Sequence, residues 1–492
     1  MTSKTKQKCV ILITIDALRP DHLRSYGYHR DTAPNLEKFF QEGTKFLNAI
    51  TNGPETPSGF SAIFTSTLPF LDGGYSPLPL YKITFPQILN ENGIYTYGIH
   101  SNPNLGRFFN YNRGFDTFLD GERYKVDFNL NRNFNLKQIF SFYIKKILDY
   151  KNFIQRLIYR LKGFNKIKNW LRGKFPFLTD ILLPFTPIAY NAPYIVNKLM
   201  TSFPNLNKPF FIWAHFMDAH GPYNPPTKNI LKFRKSDFDN NEKEFLSNKI
   251  YFNFQNFKIT QDTVENIKLL YDSEINFIDD SLEKLLQYLK VRFKNNCLII
   301  VTADHGEGFY EHCFFGHQGI IYEELLKIPL FIIELGKVPN VKVVHDHVQL
   351  IDIAPTILDY FSIKIPENYQ GTSFLPLIEG KLLKQDKYII SECYQKDRKI
   401  KRNREEGYIL LSIRKGDWKY IYDEEDSKEF LFNLKDDQFE KDNLINKNTT
   451  KLNEFKEIKN LHIQKSVTSA LEKSKILNAI DSLNFNKLKN NT

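Results

Sequence analysis

The sequence predicts an α/β protein: a mostly parallel sheet covered on both faces by helices, followed by a smaller carboxy-terminal part with an antiparallel sheet. Three observations lead there. Short β-branched runs alternate with stretches of helical periodicity, once in the first third and again after the middle. The 492 residues, 42% hydrophobic and 15% aromatic, can bury a large core. After about Glu392 the alternation gives way to closely spaced strand-like pieces without long helices between them.

In chain order, the apolar run 10–15 reads as a buried strand, 35–41 as a helix and 45–50 as a second strand. A helix is expected from about Ser58 and another over 85–92, before a strand at 95–99. The pattern resumes with a strand at 209–214, a long amphipathic helix over 262–289, strands at 297–302 and 329–333, and a helix after Asp352. The pieces 407–413, 418–422 and 429–433 form the antiparallel sheet, and a polar helical tail follows. The division is therefore 8–391 for the larger domain and 392–492 for the carboxy-terminal α+β subdomain. No repeat of fixed period is present.

The formal net charge of +11 suggests nucleic acid, a membrane surface or an anionic substrate. Its location decides among them. Residues 134–175 hold eleven basic side chains and one acid, Asp149, a net +10, so the other 450 residues carry +1. Apolar residues from Ile144 to Leu161 recur there at three- and four-residue spacing, making a basic amphipathic insertion. Such an insertion can pack on its own domain or lie on an anionic membrane surface. With the charge gathered in one segment and no DNA- or RNA-binding motif, no nucleic-acid partner is expected. The four cysteines lie far apart without CxxC spacing, against a disulfide framework or a zinc knuckle. The basic start, Met1 to Lys8, leads into a short apolar run with no small-residue cleavage site, and the apolar stretch 181–196 is broken by Pro184, Pro187 and Pro193. A cytoplasmic location is expected, peripheral to a membrane if the insertion binds lipid.

Asp16 follows the first expected strand directly, and Asp304 and His305 follow the strand 297–302. Ligand-binding residues of open α/β sheets sit at the carboxyl ends of strands. Hard oxygen donors with one imidazole make a divalent-metal site, although an Asp after a strand is also a common turn or cap residue. The stretch Asn52-Gly-Pro-Glu-Thr-Pro-Ser-Gly-Phe-Ser-Ala-Ile-Phe-Thr-Ser66 enters a helix with Thr56 at its start, where free backbone N–H groups favour an anionic ester. His215, Asp218 and His220 crowd six positions just past another strand.

These residues resemble the sulfatases of the alkaline phosphatase superfamily. Ile15-Asp-Ala-Leu-Arg-Pro-Asp-His-Leu-Arg-Ser-Tyr-Gly-Tyr28 with Thr32-Ala-Pro-Asn-Leu36 resembles the family's opening, and Thr302-Ala-Asp-His-Gly-Glu307 its second metal motif. Gly316-His317, Tyr322-Glu-Glu-Leu-Leu-Lys-Ile-Pro329, Asp352-Ile-Ala-Pro-Thr-Ile-Leu358, Arg414-Lys-Gly-Asp-Trp-Lys-Tyr-Ile421 and Phe430-Leu-Phe-Asn-Leu434 complete the order. The resemblance implies an alkaline-phosphatase-like α/β/α sandwich and a metal-dependent hydrolase of sulfate or phosphate esters, phosphodiesters included.

Three departures shape the expected mechanism. Thr56 stands where the family carries the Cys or Ser that becomes formylglycine, so no formylglycine is expected, and Phe60 stands at the motif's Arg position. Ala17 replaces the second Asp of the family's pair. By resemblance to the superfamily's Thr enzymes, Asp16, Thr56, Asp304 and His305 hold one divalent ion (Zn, Mn, Ca or Mg), and the Thr56 oxygen attacks. His220 and His317 occupy positions that contact the anionic ester or protonate its leaving oxygen. His215 is either a substrate contact or a residue behind the metal ligands. Asp218, with His220 and His347, could imitate the extra Asp/His/His set of two-metal members, although its spacing departs from theirs. The Thr points toward phosphoryl chemistry, which leaves two alternatives: a phosphoglycerol- or phosphoethanolamine-type head-group transferase at a membrane surface, or a degenerate binding protein.

Overall fold

A computed structural model describes residues 8–71, 74–121, 190–202, 208–293, 296–317, 319–381, 387–397, 399–401, 404, 406–466 and 468. The chain forms two compact units, 1–121 with 189–492, and 122–188. The second, with the basic insertion 134–175 and its expected membrane contact, lies outside the described residues, as does the end of the tail. Among the described residues, no helix is long and apolar enough to cross a membrane.

The central sheet has eight strands: β1 (Cys9–Ile15), β2 (Thr44–Ile50), β3 (Tyr95–His100), β4 (Thr117–Asp120), β5 (Phe210–Phe216), β6 (Cys297–Thr302), β9 (Lys327–Glu334) and β10 (Val343–Gln349). Between β6 and β9 a two-residue pair, β7 (Gly308–Phe309) and β8 (Phe315–Gly316), forms its own small ladder. The spatial order is β10-β2-β9-β6-β1-β5-β3-β4. Only β9 runs antiparallel to its neighbours β2 and β6. All the other strands therefore point their carboxyl ends to one edge. Strands β1, β5 and β6 are buried along their whole length, as their uninterrupted apolar runs require of strands covered on both faces.

Helices α1 (Pro34–Phe40), α4 (Ala192–Ser202) and the long α5 (Gln261–Arg292) pack together, and α2 (Thr56–Thr65), α3 (Phe85–Glu91) and α6 (Ile353–Tyr360) form a second group. This is the expected sandwich around a mostly parallel sheet. The second sheet is antiparallel, in the order β12-β11-β13-β14-β15, with β11 (Ile389–Lys396), β12 (Lys399–Lys401), β13 (Tyr408–Lys415), β14 (Trp418–Asp423) and β15 (Lys428–Asn433). A helix α7 over 449–466 follows.

Sequence patterning missed β4, α4, β11 and β12. Strand β4 has four residues and β12 three, too short for a periodicity to show. Strand β11 ends in the polar Tyr-Gln-Lys, yet Ser391, Glu392 and Gln395 are buried because they bond to the main domain and to Asp423.

Candidate active site

The site sits where the carboxyl ends of β1, β2, β3, β5 and β6 converge. Parallel register aligns Thr14 of β1 with His215 of β5 and Thr302 of β6. The residues that follow are therefore delivered to one level. After Asp16 the chain turns at Ala17, a non-glycine residue in the left-handed region at φ 57°. Such a conformation costs of order 1 kcal/mol and persists only where neighbours fix it. Here the Ala17 amide donates to Asp304 Oδ1 at 3.2 Å, and the Tyr271 hydroxyl of α5 donates to the Ala17 carbonyl at 2.7 Å.

Helix α2 brings in Thr56. Glu55 caps it by accepting from the Ser58 amide, and Pro57 fills the first turn, where a missing N–H costs nothing. Gly59 lets the helix lie on the Asp304 backbone: a Cβ there would meet the Asp304 carbonyl oxygen at 2.7 Å. Phe60, expected at the family's Arg position, is fully buried edge-on to His215 and against Trp213.

Thr56 Oγ1 lies 3.4 Å from Asp16 Oδ2 and 3.3 Å from His305 Nε2. His305 donates through Nδ1 to the Gly306 carbonyl, which leaves Nε2 with a free lone pair. That nitrogen is 3.6 Å from both Asp16 Oδ1 and Asp304 Oδ2. Both of these carboxylate oxygens are buried without any hydrogen-bond donor. Two orphaned buried carboxylate oxygens beside an imidazole lone pair and a hydroxyl form a donor set that fits a divalent cation. Asp16, His215 and Asp304 also offer ligand atoms within 4.8 Å of one another. Burial and the neighbouring Asp16 charge push the Asp304 carboxyl up, whereas against burial His220, His215 and His305 hold Asp16 well below the usual carboxylate range.

Beside this cluster opens a cleft of about 910 Å³, lined in part by Glu55, His220 and His317. The rings of His305 and His317 are 4.3 Å apart, and those of His317 and His220 are 5.0 Å apart. His317 Nδ1 donates to Glu307 Oε1 at 3.2 Å, while Glu307 Oε2 accepts from the hydroxyls of Tyr251 at 2.5 Å and Tyr223 at 3.3 Å. Burial works against the His317 imidazolium, but the Glu307, Asp16 and Asp304 charges raise its pKa to about 9. Burial pushes the Glu55 carboxyl up to about 7.

Of the residues expected from sequence, Asp16, Thr56, Asp304 and His305 meet at one point, with His317 and His220 on the cleft side of it. His215 is fully buried behind Asp16, 3.1 Å from its Oδ2 through Nε2 and 3.0 Å from Thr14 Oγ1 through Nδ1. Asp218 instead accepts from the Ala192 amide at the start of α4, and burial raises its carboxyl to about 6. His347 lies on the edge strand β10, against a separate cavity of about 150 Å³ with Gln349 and Asp352. Among the described residues Asp218, His220 and His347 form no metal-capable group.

Sequence reading missed two residues of the site. Asn102 follows β3 and donates through Nδ2 to Asp16 Oδ2 at 2.9 Å and to Thr56 Oγ1 at 3.3 Å. The strand-end rule that singled out Asp16 applies to Asn102 equally. Glu307 stands inside a motif already quoted, but its bond to His317 joins residues ten apart through a folded loop.

The family model described as Sulfatase matches residues 8–363, and that described as N-sulphoglucosamine sulphohydrolase, C-terminal, matches 310–467. An arylsulfatase of Clostridium perfringens (strain 13 / Type A) is 26% identical over 469 residues, covering 89% of this chain and 90% of its own. Among solved structures, the phosphonate monoester hydrolase of Agrobacterium radiobacter is 18% identical, covers 93% of this chain and 96% of its own, and superposes with a TM-score of 0.66. A 2-O GAG sulfatase is 17% identical, with coverages of 94% and 93% and a TM-score of 0.65. At those identities the two structures speak for the fold alone. The strand-end cluster, the sandwich that builds it and the match over residues 8–363 agree, and the chain belongs to the sulfatase family of the alkaline phosphatase superfamily, as one of its ester hydrolases.

Proposed function

We propose that the protein hydrolyses sulfate or phosphate esters by attack of the Thr56 hydroxyl, with Asp16, Thr56, Asp304 and His305 holding one divalent cation. The observation that carries this reading is the meeting of Thr56 Oγ1, the His305 Nε2 lone pair and two donor-less carboxylate oxygens within 3.3–3.6 Å of that nitrogen. A cation bound there would lower the pKa of the hydroxyl and offset charge on the ester oxygens. Asn102 holds the Thr56 oxygen and the Asp16 carboxylate in one geometry, and His215 fixes Asp16 from behind. The ester's anionic oxygens then meet the amino-terminal end of α2.

In the first half-reaction the Thr56 hydroxyl, which a bound cation would acidify, gives up its proton to solvent, a bond forms from its Oγ1 to sulfur or phosphorus, and the bond to the alcohol oxygen breaks. That oxygen takes its proton from His317 or His220. His317 suits this role because Glu307 occupies its Nδ1 and leaves Nε2 for the substrate. Water then cleaves the threonyl ester, its two protons restoring the Thr56 hydroxyl and the histidine, and sulfate, phosphate or, from a diester, a phosphomonoester is released. A positioned proton donor contributes ~10²–10⁴ in rate.

The deciding experiment compares wild type, Thr56→Ala and Thr56→Ser on 4-nitrophenyl sulfate, 4-nitrophenyl phosphate and bis(4-nitrophenyl) phosphate. We expect Thr56→Ala to lose roughly 10³-fold or more in kcat/KM and Thr56→Ser to keep measurable activity. Full activity of Thr56→Ala on every substrate would refute the mechanism.

A further inference from the structure

We propose that the alcohol part of the substrate carries a second anionic group, a sulfate, phosphate or carboxylate, and that Lys399 and Lys401 of β12 bind it. This rests on the ester-cleaving reading of the same cleft. The cleft that holds His220 and His317 is also lined by Lys399 and Lys401. At about 910 Å³ it is in the size range of sites for whole small molecules, whereas a lone sulfate or phosphate fills a small part of it. Tyr251, Phe252 and Phe254 line it too and offer flat apolar faces for the alcohol part.

The two lysines are placed as a pair. Strand β12 is the edge of the second sheet and is paired to β11, with Lys401 opposite Tyr394 and Lys399 opposite Lys396. Residues two apart on a strand share a face, so Lys399 and Lys401 present together. The buried Tyr75, which also lines the cleft, donates its hydroxyl to the Lys401 carbonyl and fixes the strand against the main domain. Several other cations of this sheet are matched, Lys419 between Glu323 and Glu440, Lys428 on Asp426 and Arg414 on Glu323, whereas Lys396, opposite Lys399, adds a further exposed positive charge. Among the described residues no ion pair or hydrogen bond joins the ammonium of Lys399 or Lys401 to a partner. Asp397, the one exposed acid of the cleft lining, is outnumbered by them. Two adjacent unmatched point charges beside the cleft proposed to take the ester's anionic group suit a substrate with a second.

Binding to the Thr56→Ala protein, measured by calorimetry, separates this proposal from the chemistry. The probes are N-acetylglucosamine 6-O-sulfate against glucosamine 2-N,6-O-disulfate and N-acetylglucosamine 3,6-di-O-disulfate, with the 6-O-phosphate and 3,6-di-O-phosphate alongside. At least one doubly charged sugar should bind about tenfold more tightly than its singly charged counterpart, and the preference should shrink as NaCl rises to ~0.3 M. Adding Lys399→Ala and Lys401→Ala should bring the ratio near one, and Lys399→Arg with Lys401→Arg should restore it. No preference for any doubly charged sugar, or a preference that survives the alanine pair, would overturn the proposal. Failure of the nucleophile reading would show instead as Thr56→Ala activity, which this ratio does not depend on.

Discussion

Phe60 and Glu307 show how single side chains shape the candidate site. Phe60, expected at the position of the family's Arg, puts an apolar wedge from α2 against Trp213 and His215. It is fully buried, so Phe60→Ala should cost about 3–5 kcal/mol in a urea unfolding experiment, while Phe60→Leu should cost much less. Glu307 is fully buried, holds His317 and is itself held by two tyrosine hydroxyls. Glu307→Gln should lower kcat/KM about 10–100-fold with little change in melting temperature. A matching loss in His317→Ala that does not add to it in the double variant would place both on one proton path. For the cation, dialysis against a chelator should lower the melting temperature and divalent ion should restore it, because a ligand of the folded state stabilises by mass action. Metal analysis of Asp304→Ala should show the ion lost.

The loop before α2 and the helix α7 are each held by the second sheet. Asn52 donates to Gln349 Oε1 and the Ile390 carbonyl and accepts from the Ile351 amide, while Ser391 and Glu392 of β11 bond back to the carbonyls of Thr51 and Asn52. The Thr56 loop is thus braced by β11. Asn52→Ala leaves buried backbone groups without partners, should cost about 1–3 kcal/mol, and should reduce activity through misplacement of Thr56. Helix α7 docks through His462, whose Nε2 donates to the buried Glu392. Burial opposes the imidazolium, but the Glu392 charge and hydrogen bond raise its pKa above 6.5. A raised folded-state pKa gives stability that is fully present below the unfolded value and is lost as pH rises through the folded one. Stability should therefore decline as pH rises from about 6.5 past the raised pKa, and His462→Gln should flatten that slope in melting experiments across pH 6–9.

The two sheets share one hydrophobic core. Ile390, Tyr394, Leu411, Ile413, Tyr420, Leu431 and Phe455 belong to the same buried cluster as β1, β5 and β6. Lys419, buried between Glu323 and Glu440, and Arg414 on Glu323 tie β13 and β14 to the chain segment after the metal motif. The expected boundary at residue 392 is therefore proposed as a division in chain order and not as two independently folding bodies. The full chain should unfold in one calorimetric transition spanning both sheets, and a chain ending at residue 391 should be insoluble or lack cooperative melting. Two well-separated transitions would show the opposite.

Composition and local pattern were enough for the alternation of strands and helices, because a strand buried on both faces must be apolar throughout and a surface helix must repeat near every third or fourth residue. They also singled out Asp16, Asp304, His305 and Thr56 as candidates, since each stands at the end of a strand or the start of a helix, while the roles proposed for them came from the resemblance to the sulfatases. Short edge strands escaped, because three or four residues carry no period. Asn102 and Glu307 escaped for a different reason. Their importance lies in bonds to residues distant in sequence or across a folded loop, and His215, Asp218 and His347, alike in type, were sorted into a buried support, a helix-end acceptor and an edge-strand residue by the same long-range packing. Residue type and spacing set which side chains could do chemistry; which of them share a cleft depended on the register of parallel strands and on a second sheet that braces the loop before Thr56.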